Sequence, residues 1–134
     1  MKIEGNCHCG AIACEAIVDP QKASLCHCAD CQTLSGAPFR ASVPAASADF
    51  HILRGQPKIY IKTADSGNKR AQAFCADCGT GLYSTSPENP TSYVLRVGVI
   101  AQRASFKPRQ QIWCRSELPW TTTVGGVERR EGQQ

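Results

Sequence analysis

The stretch Cys7-His8-Cys9-Gly10-Ala11-Ile12-Ala13-Cys14-Glu15-Ala16-Ile17-Val18 carries the two signals that decide the fold. Its second half alternates: Ile12, Cys14, Ala16 and Val18 fall on every second position along Ala11–Val18, the period of a half-buried strand. Its first half is a pair of cysteines one residue apart, closed by a glycine. The alternation returns at Phe39, Ala41 and Val43 over Phe39–Val43. Further strands are predicted at Phe50–Arg54, Lys58–Lys62, Lys69–Phe74, Gly81–Ser84 and Tyr93–Val99, the last being the most apolar and so the expected central strand. Turn formers separate them: Asp19-Pro20, Arg54-Gly55-Gln56-Pro57, Ser66-Gly67-Asn68 and Ser86-Pro87-Glu88-Asn89-Pro90. Short strands with such punctuation predict an all-β fold of mainly antiparallel strands in a sandwich or folded-over sheets. One helical segment is expected, one or two turns around Ala29–Leu34. Residues 1–120 read as a single domain and residues 121–134, which lack apolar periodicity, as a loose tail.

The chain has 134 residues, 42% of them hydrophobic and 19% charged. That is one domain's length, enough to bury roughly two-thirds of the unfolded surface. No run approaches the roughly 20 apolar residues of a membrane span. The opening Met1-Lys2-Ile3-Glu4-Gly5-Asn6 has no apolar stretch of the secretion-signal kind, so a cytoplasmic location is expected. Nine cysteines are then the outlier, in a compartment that keeps thiols reduced, and their odd number excludes complete disulfide pairing. Metal ligation is the better account. Fifteen basic and eleven acidic residues give a formal +4. A zinc ion on four thiolates carries −2 and one on three carries −1, so two such centres reduce the total to about +1. The basic residues are also scattered, and Arg129-Arg130 is too little for a nucleic-acid surface.

Seven cysteines form three close groups: Cys7-His8-Cys9-Gly10, Cys26-His27-Cys28-Ala29-Asp30-Cys31 and Cys75-Ala76-Asp77-Cys78-Gly79. Four plus three is the natural division. Cys26, Cys28 and Cys31 lie within six residues and can chelate one ion alone. Cys7, Cys9, Cys75 and Cys78 can then close a tetrahedral site that staples the start of the chain to its middle. A closed set of four suits a structural ion, and a set of three leaves a position for an outside ligand. The alternative is two structural ions, the second completed by His8, His27, His51, Cys14 or Cys114. His27 sits between two ligands and His8 has the same position in its own group, so each should point away. His51 lies on a predicted strand, Cys14 alternates with core residues, and Cys114 beside Trp113 reads either as core or as a ligand.

These motifs, with Ser35-Gly36-Ala37-Pro38-Phe39, Ile112-Trp113 and Leu118-Pro119-Trp120, resemble the glutathione-dependent formaldehyde-activating enzyme family. The resemblance runs from about Gly5 to Trp120. It implies a zinc-stapled β fold similar to that of methionine sulfoxide reductase B and centromere protein V. It also implies a structural zinc on Cys7, Cys9, Cys75 and Cys78 and a functional zinc on Cys26, Cys28 and Cys31. Members often carry a histidine before the Ile-Trp pair, where this chain has Gln111.

The expected activity follows from the thiolate-rich donor set. Three thiolates make zinc a poor Lewis acid, so binding a further sulfur suits the site better than activating water. The resemblance supplies the partners: glutathione as the small thiol and formaldehyde as the small aldehyde, joined by a carbon–sulfur lyase working in the synthetic direction. Glutathione has two carboxylates, so basic side chains should meet it. Arg40 is the first candidate, with Arg96 and Arg115 behind it, and Phe39 and Trp113 are candidate pocket walls. The plainer readings are solvated arginines and core aromatics. The competing function is a non-catalytic binding module shaped by its two metal ions.

Overall fold

The computed structural model describes residues 1–133; Gln134, the last residue of the expected tail, lies outside them. The described residues form ten strands, one α-helix and several short 3-10 turns. The strands are β1 (Lys2–Asn6), β2 (Ala13–Ile17), β3 (Ser24–Cys26), β4 (Arg40–Ala46), β5 (Phe50–Arg54), β6 (Lys58–Thr63), β7 (Lys69–Phe74), β8 (Gly81–Thr85), β9 (Ser92–Arg96) and β10 (Gln110–Ile112). The helix α1 is Ala29–Ser35. A three-stranded sheet runs β1-β2-β5 and a seven-stranded sheet runs β10-β3-β4-β9-β8-β7-β6. All pairings are antiparallel except β10 with β3. The predicted all-β class and the central place of the Tyr93 segment are both found, since β9 stands fourth of seven. That strand stops at Arg96, however, and Val97–Val99 turns into a 3-10 coil.

The pleat explains the layers. In β7, Ala71 and Ala73 are buried while Arg70 and Gln72 are half-exposed, and register carries this division across the sheet. Val43, Leu95, Tyr83 and Ala73 share the inner face. Ser42, Arg96, Ser84 and Gln72 fall on the other face by the same period of two. The inner face meets the small sheet through Phe50, whose ring lies 5.1 Å from Tyr83 and 4.6 Å from Tyr93. Such aromatic pairs contribute about 0.5–1.5 kcal/mol each beyond their burial. Ile3, Ile100, Val43 and Leu95 are almost wholly buried in the same core.

Close approach at β1 accounts for Gly5. It bridges Ile100, and a Cβ there would come within 2.8 Å of Cys14 Sγ and 3.3 Å of the Val99 carbonyl oxygen. Cys14 is buried in that core, as its alternation with Ile12 and Ala16 suggested. Beyond Trp120 the chain is exposed but hydrogen-bonded in turns, Thr123 N to Trp120 O and Gly126 N to Thr123 O. No helix among the described residues is long and apolar enough to cross a membrane.

Candidate metal centres

The two outer cysteine groups, distant in sequence, meet in space. Cys7 and Cys9 sit on the turn after β1, and Cys75 and Cys78 on the turn between β7 and β8. Each turn closes through a glycine in the left-handed region, Gly10 at φ 81° and Gly79 at φ 78°, where other residues are strained. Gly10 N–H donates to Cys7 O and Gly79 N–H to Cys75 O. The Thr80 hydroxyl joins the turns: it accepts from the His8 backbone N–H at 3.1 Å and lies 3.1 Å from Cys78 Sγ. Sulfur separations are 3.7 Å for Cys7–Cys9 and 3.8 Å for Cys9–Cys75. A tetrahedral ion with metal–sulfur bonds near 2.3 Å requires sulfur–sulfur edges of about 3.8 Å. These two edges match that value, and all four sulfurs lie within 4.8 Å of one another, so the set could hold one ion. The Thr80 hydroxyl, then the backbone N–H groups of Cys9 and Thr80, hold the Cys78 thiol down to about 5.

The second group is built where β3 runs into α1. Cys26 ends the strand, and Cys28 caps the helix by accepting the Cys31 N–H at 3.3 Å. The sulfurs of Cys26, Cys28 and Cys31 lie within 4.8 Å of one another, and among the described residues no further His, Cys, Asp or Glu joins them. Burial pushes the Cys28 thiol up, but the Cys31 backbone N–H, the Cys31 and Cys26 thiols and the Lys62 charge together bring it below its ordinary value. Burial and hydrogen bonding with Cys26 and Cys28 push Cys31 up to about 12, against the pull of Arg40. Both groups can hold metal ions.

The predicted fourth ligands lie elsewhere. His27 turns away into a buried slot, where Nε2 donates to Gln111 Oε1 at 2.7 Å and the ring meets Phe39 edge-on at 5.6 Å. Gln111 thus orients the imidazole that stands between Cys26 and Cys28 in sequence. Gln32 fastens α1 to the following wall, its amide donating to His27 O at 2.8 Å and Ser116 O at 3.0 Å. His8 and His51 are exposed. Cys114 is exposed too, against its core reading, and gathers with His27 and Glu117 rather than with the three cysteines. It lies in a 3-10 turn, Cys114–Ser116, that follows β10.

A cleft of about 510 Å³ opens beside Cys28, between α1 and the loops at 64–66 and 113–116. Trp113, half exposed, forms one wall in the left-handed conformation at φ 57°, and the Arg115 guanidinium stacks on it at 4.6 Å. Lys62 crosses the cleft to pair with Asp30 at 2.7 Å. Of the residues expected to meet a thiol ligand, the structure brings Trp113 and Arg115 to this cleft. Arg40 is buried behind the cysteines, Phe39 packs on His27, and Arg96 shares the Gln72 amide with Arg40. Lys62 was missed by sequence reasoning because only the β6–β7 pairing carries it to α1, and no local motif marks it.

The family model of the glutathione-dependent formaldehyde-activating enzyme matches residues 2–116. An uncharacterized lyase of Schizosaccharomyces pombe is 32% identical over 93 residues, 65% of this chain and 61% of that protein. A Halomonas elongata protein, provisionally named as a glutathione-dependent formaldehyde-activating enzyme, is 27% identical over 94 residues, 67% of this chain and 60% of that one. The matched region thus spans about three-fifths of these curated relatives. The crystal structure of a Rhodobacter sphaeroides protein superposes with a TM-score of 0.62 at 21% identity, covering 81% of this chain and 98% of that one, which shows a shared fold. With two cysteine centres on this β scaffold and the match over nearly its whole length, the chain belongs to the glutathione-dependent formaldehyde-activating enzyme family.

Proposed function

We propose that the chain is a zinc-dependent carbon–sulfur lyase of the cytoplasm that takes a small thiol, glutathione foremost, at the Cys26/Cys28/Cys31 centre and adds it to formaldehyde or a similar small electrophile. The observation that carries the reading is a three-sulfur centre with no fourth side-chain ligand among the described residues, opening on a cleft with cationic and aromatic walls. Zinc bound there would lower the pKa of an incoming thiol and hold it as a thiolate. A second zinc on Cys7, Cys9, Cys75 and Cys78 would staple the fold. The names of the family and of the Halomonas relative support glutathione and formaldehyde, and the name of the yeast relative supports a lyase.

The chain's own residues supply position. Arg115, held flat by Trp113, and Lys62 offer cations to the two carboxylates of glutathione, and Asp30 and Asp65 offer anions to its ammonium. Arg40 is too buried for that role. The thiolate sulfur attacks the carbonyl carbon, a carbon–sulfur bond forms, and the carbonyl π pair moves to oxygen, which takes a proton from water. The product is the S-hydroxymethyl adduct, and reversal breaks the same bond. Proximity and thiolate supply are the whole contribution required. Exchange spectroscopy by NMR on a formaldehyde and glutathione mixture tests this. Wild type should exceed the uncatalysed rate and Cys28→Ser should not. Equal rates for the two proteins overturn the catalytic reading.

A further inference from the structure

The outer face of the seven-stranded sheet carries three arginines without an acid: Arg70, half-exposed to solvent, and Arg40 and Arg96, whose guanidinium groups share one neutral partner. Arg40 Nη1 and Arg96 Nη2 both donate to a single neutral atom, Gln72 Oε1, at 3.1 and 2.7 Å. Arg40 is 7% exposed and its Nε has no partner. Among the described residues the ion pairs join Lys2 to Glu15, Lys62 to Asp30, Arg130 to Glu128 and His27 to Glu117, so neither arginine has a carboxylate. Crowding two like charges away from water is costly unless an anion offsets them. Burial, then the neighbouring charges of Arg40 and Arg70, pull Arg96 down to about 9. The three-cysteine centre, anionic once it holds a divalent ion, lies next to Arg40. Cys26 stands directly across from Arg40 in the β3–β4 register, so the two side chains leave the same face of the sheet.

We propose that Arg40 and Arg96 are the built-in counter-ions of the Cys26/Cys28/Cys31 centre, and that their two charges select an anionic fourth ligand over a neutral one. A divalent ion on three thiolates carries −1, and a fourth thiolate makes it −2, equal and opposite to the guanidinium pair. With a neutral fourth ligand one positive charge stays unbalanced. The inference rests on the proposed function and deepens it: the arginines act beneath the centre, on the charge of what binds, and Lys62 and Arg115 act in the cleft, on the rest of the ligand.

The test uses the full chain loaded with Co2+ as wild type, Arg96→Met and Arg96→Lys. Chelator competition gives metal affinity at the three-sulfur centre, with the four-sulfur centre as internal reference. Sulfur-to-cobalt charge-transfer bands give the affinities for 2-mercaptoethanol, whose only charge when bound is its thiolate, and for neutral imidazole. Arg96→Met should lower the metal and mercaptoethanol affinities about tenfold, as loss of one unit charge inside a protein can, and leave imidazole unchanged. Arg96→Lys should restore both. Wild-type affinities in Arg96→Met, or equal losses for mercaptoethanol and imidazole, overturn the proposal. Wild type that takes no thiol refutes the proposed function and the ligand selectivity with it; the counter-ion assignment then stands on a tenfold metal loss in Arg96→Met and falls without one.

Discussion

Cys9 and Cys114 are both exposed free thiols, so serine at either position removes little packing. An ordinary exchange at such a site moves stability by less than about 0.5 kcal/mol. The two differ in company. Cys9 Sγ lies 3.7 Å from Cys7 Sγ and 3.8 Å from Cys75 Sγ, the latter 66 positions away along the chain. A metal bridging those segments removes from the unfolded ensemble the freedom of a loop of that length, and the loop-closure relation for cross-links gives about 4 kcal/mol at 25 °C. Serine is a poor ligand for a thiophilic ion, and the three remaining sulfurs hold it less firmly, so Cys9→Ser should cost between about 2 and 4 kcal/mol. At roughly 4 °C per kcal/mol for a chain of this size, Tm should fall by about 8–16 °C. Thermal and urea unfolding of the zinc-loaded, reduced proteins measures it, with Cys114→Ser expected within about 2 °C of wild type. A Cys9→Ser protein as stable as Cys114→Ser refutes the staple.

Two further outcomes follow from the geometry. With its thiol held near 5, Cys78 is a thiolate at neutral pH, whereas Cys31, at about 12, keeps its proton. Freshly metal-stripped protein treated with iodoacetamide at pH 7 should therefore label Cys78 well before Cys31 by peptide mapping. Labelling of Cys78 should fade as pH drops through about 5, and Cys31 first would contradict the Thr80 hydrogen bond. Trp113 occupies the left-handed region, which costs a non-glycine residue roughly 1–2 kcal/mol. Trp113→Gly should thus be more stable than Trp113→Ala by about 1 kcal/mol in urea unfolding, while both lose thiol affinity through the missing cleft wall. Alanine equal to glycine would show that the turn carries no strain.

Most of the architecture was legible because it is periodic. Phe50–Arg54 and Lys69–Phe74 form the strands expected of them, and the helix at Ala29 ends within a residue of its predicted limit. The strands that escaped are those without such a period. In β1 only Ile3 and Gly5 face inward, and a glycine gives no apolar signal. β3 and β10 have three residues each and are held by pairing with distant partners. The grouping of the cysteines was readable from their spacing, and the sulfurs gather as the same four and three, sets that could each hold a metal ion. The cleft was not, because its walls come from residues 28–30, 62–66 and 113–116, which only the tertiary fold unites. Arg40 shows the limit of proximity in sequence. Next to the cysteine loop in sequence, it is buried on the outer face of the sheet and meets Gln72 instead of solvent.

The parallel pairing of β10 with β3 has a consequence for biosynthesis. Cys26 lies in register with Ile112, His27 N–H donates to Ile112 O, and Gln32 reaches Ser116 O. On the ribosome the three sulfurs precede by about eighty residues the strand that aligns them. The four-sulfur staple, complete once Cys78 has emerged, can therefore form first and give the nascent chain a folded frame. The three-cysteine centre matures last, so an unfinished polypeptide presents these thiols without the cleft beside them.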